Sequence, residues 1–132
     1  MSRFVKPWLA PFDWNFVTEI NRGLCRQKNA LHKTTSDGHL PAKNLWEKNQ
    51  FAELALTDAF DICLKCLRLA PFCFYNGNTF AAIARDFIAE LLPAPAPDQA
   101  HILRSIAGHI VAGTATDIER KQLDSMLDAL GR

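Results

Sequence analysis

Apolar residues in this chain recur at three- and four-residue intervals in five separate segments, and no segment alternates apolar and polar residues at the two-residue period of a strand. That regularity predicts an all-α fold. At about 100° per residue, Phe16, Val17, Ile20 and Leu24 share one face of a helix over 13–28. Glu19, Arg22 and Arg26 take its other face, and Asp13 is a suitable N-cap. The segment 45–69 is the most apolar. Phe51, Ala52, Ala55, Leu56, Ala59, Phe60, Ile62, Cys63, Cys66 and Leu67 fall within half of its circumference, which predicts one long central helix touching several neighbours.

Pro71 ends that segment, and Asn78 or Thr79 can cap a third helix over 79–92. Asp98 opens a fourth over 99–113, with Ile102, Leu103, Ile106, Ala107, Ile110 and Val111 inward. Thr116 and Glu119 have capping-box spacing for a last helix over 117–130, and Gly131 is its natural stop.

The remaining chain carries no helical period. Residues 1–12, interrupted by Pro7 and Pro11, predict an extended aromatic arm. Residues 29–44 predict a flexible basic and polar loop, and Pro93-Ala94-Pro95-Ala96-Pro97 predicts a stiff inter-helix connector. The expectation is therefore a single domain, 1–132, built as a bundle of about five helices. At 48% hydrophobic and 22% charged residues, the chain has the material for a core, which argues against intrinsic disorder. No apolar run reaches the roughly 20 residues needed to span a bilayer. The start MSRFVKPWLAPF lacks the apolar region of a secretory leader, so the reading is a cytoplasmic protein with no membrane association.

Charge is uneven. The first fifty residues hold eight basic and four acidic side chains, the remainder seven and ten. The basic group Arg22, Arg26, Lys28, His32 and Lys33 is dense enough to neutralise several phosphates. A solvated basic face is the favoured reading over nucleic-acid contact or an acidic protein partner, because Trp8, Phe12, Trp14 and Phe16 precede the run and do not interleave with it.

Four cysteines, Cys25, Cys63, Cys66 and Cys73, include one C-x2-C pair. A thiolate metal site usually recurs as two such pairs, and Cys63 and Cys66 fall inside the apolar arc, so core thiols are the favoured reading over ligands. Arg104-Ser105-Ile106-Ala107-Gly108-His109 resembles the Arg-then-His signature of HEPN ribonucleases, themselves small helical proteins. The resemblance implies an Arg and a His facing an RNA backbone across a dimer groove, and it covers six residues. Position 105 is Ser where that family has a polar amide or acid. His101, Ser105 and His109 share one wet face, with no carboxylate on the same helix to orient them. No nucleotide-binding glycine loop, hydrolase elbow or zinc-helix motif is present.

The strongest functional signal is surplus apolar area: Phe4, Trp8, Phe12 and Trp14 near the N-terminus, and Phe72, Phe74 and Tyr75 in a loop. Such residues either wrap their own domain or anchor a partner. The sequence thus reads as a non-catalytic interaction subunit or adaptor without cofactor, metal or small-molecule substrate. It docks on a larger protein, or on a second copy, through those seven residues. The alternative is an accessory subunit of a nucleic-acid complex using Arg22, Arg26, Lys28 and Lys33. A HEPN-like ribonuclease or a Cys-metal protein is the third reading.

Overall fold

The computed structural model describes residues 5–89 and 97–130. Phe4, the 93–96 part of the connector and Gly131 lie outside them. The described chain is mostly helical, in the order β1 (Val5–Lys6), α1 (Trp14–Gln27), α2 (His39–Asn49), β2 (Leu54–Ala55), α3 (Leu56–Leu69), α4 (Asn76–Ala89), α5 (Pro97–Ala112) and α6 (Asp117–Leu130). No helix among the described residues is long and apolar enough to cross a membrane.

Local signals set the helix ends. The Asp13 carboxylate accepts from the Phe16 amide at 2.8 Å, a side-chain N-cap. Asp13→Ala is expected to lower stability by about 1 kcal/mol, read as a lower denaturant midpoint at unchanged slope. At α6 both halves of the capping box form: the Glu119 amide donates to Thr116 Oγ1 at 3.1 Å, and the Thr116 amide to Glu119 Oε1 at 3.2 Å.

Three expectations are corrected. The first is the helix count: the described residues hold six, because 39–44 of the expected flexible loop join 45–49 to form α2. Pro41 stands in its first turn, where a missing N–H costs nothing, and Ala42 and Trp46 are buried on one side.

The second correction concerns 45–69, which is two helices and not one. Residues 50–53 turn, and β2 pairs antiparallel with β1 in the register Val5↔Ala55 and Lys6↔Leu54. Tertiary pairing therefore overrides a continuous apolar period. Phe51, placed in the buried arc by that period, is 75% exposed.

The third correction is the arm. Beyond Lys6 it is not extended: the amides of Trp8, Ala10 and Phe12 donate to the carbonyls of Lys6, Pro7 and Leu9 in successive tight turns. The turns fold Trp8, Leu9 and Phe12 into the core. Trp8 meets Phe87 edge-on at 5.8 Å, and Phe12 meets Phe87 at 5.6 Å. Trp46 Nε1 donates to the Phe12 carbonyl at 2.7 Å, so the indole brings its own polar atom a partner inside the core.

α3 is central, as its wide apolar face predicts. It packs against α2, α4 and α5, while α4 packs against α1 and α5. Its C-cap residue, Ala70, takes the left-handed conformation at φ 51°. Gly38, before α2, sits against this turn so closely that a Cβ there would lie 1.8 Å from the Leu69 carbonyl oxygen and 2.6 Å from that of Ala70. Only glycine permits that approach.

Candidate functional site

Of the seven aromatics expected at an interface, Trp8, Phe12, Trp14 and Phe72 lie in the interior. Trp14 stacks on Phe72 at 6.0 Å and 11°, and donates from Nε1 to His39 Nε2 at 3.1 Å. Phe74 remains exposed and Tyr75 half-buried, with the two rings 6.3 Å apart. The exposed apolar set therefore differs from the one the sequence suggested: Leu31 at 66% stands in the segment 29–38, Leu40 follows it, Phe74 at 48% stands in the 72–76 turn, and Val5, Phe16, Phe51 and Ile118 are exposed elsewhere.

That segment, 29–38, is not free. A two-stranded contact, Thr34↔Phe72, joins it to 72–76, with the Cys73 amide donating to the Lys33 carbonyl at 2.9 Å and the Thr35 amide to the Pro71 carbonyl at 2.9 Å. The Thr35 hydroxyl donates to the Ala70 carbonyl at 2.6 Å.

Beneath this contact lies Asn21, a fully buried amide on α1. Its Nδ2 donates to the Phe74 carbonyl at 2.7 Å and to Thr79 Oγ1 at 3.1 Å. Its Oδ1 meets His32 Nδ1 at 2.8 Å and accepts weakly from the Cys25 thiol at 3.6 Å. One side chain thus ties α1, the 29–38 segment, the 72–76 turn and α4 into a fixed face, and every polar atom of Asn21 is used. The described non-glycine residues with positive φ all border this face: Asn29 at 53°, Ala70 at 51° and Tyr75 at 62°. Such conformations cost about 1 kcal/mol or more each, and concentrate where the surrounding structure imposes a shape.

Two basic residues border the same face, Lys33 in the 29–38 segment and Arg22 near His32. Arg22, Arg26, Lys28 and Lys33 are exposed. Arg22 is close enough to His32 to disfavour its protonation, while pairing with Glu19 at 3.2 Å. In sequence the aromatic and basic groups stand apart; folding pairs the backbone of Lys33 with that of Cys73, next to Phe74, and ties Asn21, next to Arg22, to the Phe74 carbonyl.

Between 33–36 and Cys73 opens a cleft of about 410 Å³ lined by Lys33, Thr34, Thr35, Ser36 and Cys73. Sequence reading missed this cleft. The run Lys33-Thr34-Thr35-Ser36 was its one visible sign, and nothing local shows that Cys73 closes the other wall.

Burial, and then the Arg22 charge, hold the His32 pKa below the ordinary histidine value of 6.5. The unfolded chain therefore binds a proton first. Stability is complete above that value and falls as pH drops from it towards the lowered folded-state pKa. Thermal melts from pH 8 to pH 5 are expected to show this loss in the native chain, and to show less of it in His32→Asn.

The other candidate residues do not converge. Cys63 and Cys66 are buried core thiols. Burial pushes Cys63 well above its ordinary pKa and Cys66 up to about 12, and Cys66 donates to the Ala42 carbonyl at 3.7 Å. Burial, and then neighbouring Cys73, raise Cys25. All four cysteines are free. Among the described residues no group of three or more His, Cys, Asp and Glu side chains is placed to hold a metal.

Arg104 and His109 are both exposed on α5, about 140° apart on its circumference. His109 Nδ1 instead pairs with Glu119, the capping-box carboxylate of α6, and that hydrogen bond holds Glu119 below the ordinary carboxylate range. His101 and Ser105 stay exposed on the same helix.

The fold and this face describe a small helical protein that presents an anchored loop-and-turn surface. No family model, curated protein or solved structure matches the chain.

Proposed function

We propose that this is a non-catalytic docking module of the cytoplasm. It binds a larger protein through the face made by residues 29–38, the 72–76 turn and the outer side of α1. The observation that carries this reading is the contrast between anchoring and exposure at one place. The Asn21 amide fixes the backbone of Phe74 and the His32 ring from within. Meanwhile Leu31 and Phe74 hold large apolar side chains in water. A fixed surface loses little conformational entropy on association, so its apolar anchors contribute more of their roughly 1.5–3 kcal/mol each to affinity. Free thiols, one of them exposed at Cys73, suit a reducing compartment.

The double change Leu31→Ser with Phe74→Ser tests this. Both side chains are exposed, so each change should alter stability by only about 0.5 kcal/mol. In extracts of the producing cells, native protein is expected to elute well above its own 14.8 kDa, and the double variant to elute as a monomer. Identical elution of the two contradicts the reading.

A second reading is favoured by one observation: backbone contacts set the turn that carries Phe74 and Tyr75 against the Lys33 segment and against Asn21, the chain neighbour of the exposed Arg22. Stacking side chains next to cations suit a single-stranded nucleic acid. If Arg22, Arg26, Lys28 and Lys33 contact phosphates, affinity for an oligothymidylate falls with salt at a log–log slope of roughly −3. A flat response removes this alternative.

A further inference from the structure

From the cleft lined by Lys33, Thr34, Thr35, Ser36 and Cys73, we infer a carboxylate-binding site that receives an Asp or Glu side chain of the docked protein, an inference that rests on the docking reading above.

Three observations carry it. The first is donor chemistry. Lys33 has no ion-pair partner, and the Thr34 and Ser36 hydroxyls have no hydrogen-bond partner, among the described residues. Thr35 is committed to the Ala70 carbonyl and serves as wall. One ammonium and two hydroxyls able to donate therefore suit an anionic acceptor, and a carboxylate is the commonest such side chain in proteins.

The second is charge. The cleft offers a single cation among its lining residues. One ammonium matches a monoanion; a phosphomonoester, at close to two negative charges, is left under-neutralised. The third is position. The Cys73 amide bonds to the Lys33 carbonyl, so the cleft is continuous with the turn that carries Phe74. An acidic side chain in the cleft thus sets the neighbouring apolar residue of the same partner against Phe74. This divides specificity and apolar anchoring between adjacent parts of one face.

The test uses the full ¹⁵N-labelled chain and three small probes: N-acetylglutamate methylamide, N-acetylglutamine methylamide and N-acetylphosphoserine methylamide. The glutamate probe is expected to shift the amides of Lys33, Thr34, Ser36 and Cys73 saturably, and the glutamine probe to leave them in place. Lys33→Gln, an exposed change that preserves the fold, is expected to weaken the glutamate probe by about fivefold or more, and Thr34→Val by about twofold. Raising the salt from 0.05 M to 1 M weakens it in the native chain as well. The inference is overturned by no saturable shift, by equal binding of the glutamine probe, or by unchanged affinity in Lys33→Gln. Phosphoserine binding more than about tenfold tighter also overturns it. The probes need no partner, so failure here with the docking experiment intact removes the ligand assignment alone.

Discussion

Replacing Trp8 with alanine is expected to cost about 3–5 kcal/mol, the largest effect of any single truncation near the N-terminus. The indole is only 1% exposed and rests edge-on against Phe87, which also meets Phe12 and Phe60. Removing it opens a cavity where three parts of the chain join: the N-terminal turns, α3 and α4. A domain of this size has roughly 5–15 kcal/mol of total stability. The variant should therefore melt roughly 10–15 °C lower. If residues 5–12 were instead a detachable arm held for a partner, the substitution would leave the melting curve of the isolated protein in place. Differential scanning calorimetry of the two proteins separates these outcomes.

Gly38→Ala is expected to be nearly as damaging, at about 3 kcal/mol, though it adds a single methyl group. The atoms in its way are the backbone oxygens of Leu69 and Ala70, not the tip of a mobile side chain, so α2 has to back away from the end of α3. That places the cost at the upper end of ordinary overpacking. Displacement also pulls at Thr35, whose hydroxyl bonds the Ala70 carbonyl, and so reaches the Lys33–Ser36 cleft. Gly23→Ala is the matched control. Gly23 lies inside α1 with nothing within 4 Å of an added Cβ, and alanine there should raise stability by about 0.5–1 kcal/mol. Urea titrations that move the two variants in opposite directions support this packing. A Gly38→Ala protein as stable as the native one contradicts it.

The helices with a strong apolar stripe are legible in the chain: α1, α3, α4, α5 and α6 fall where Val17, Phe60, Ile83, Ile106 and Leu127 predict them. α2 is not legible, because Pro41 and five charged or amide residues within eleven positions leave only Ala42, Leu45 and Trp46 to mark its inner side. The break at 50–55 has no Gly or Pro to announce it; it follows from pairing with Val5–Lys6, a contact fifty residues away in sequence.

The same distance limits what sequence shows of the candidate site. Lys33 and Phe74 can each be picked out as exposed, functional types, but their adjacency depends on Asn21, a lone polar residue on an otherwise apolar helix face. A buried amide of that kind is the sequence signal most worth following, since burial obliges it to find several partners. Aromatic content alone misleads here. Trp14 and Phe72 have the composition of an interface and the location of a core, because rings of that size contribute most when wholly removed from water.

The central claim is that the 29–38 and 72–76 face, and no other, meets a larger protein. Photo-crosslinking inside the producing cells addresses it most directly, with a benzophenone side chain placed in turn at Leu31, Phe74 and the exposed α6 residue Gln122. The first two positions should yield the same discrete heavier species, and Gln122 none. Adducts of equal yield from all three positions, or none from Leu31 and Phe74, would contradict the account.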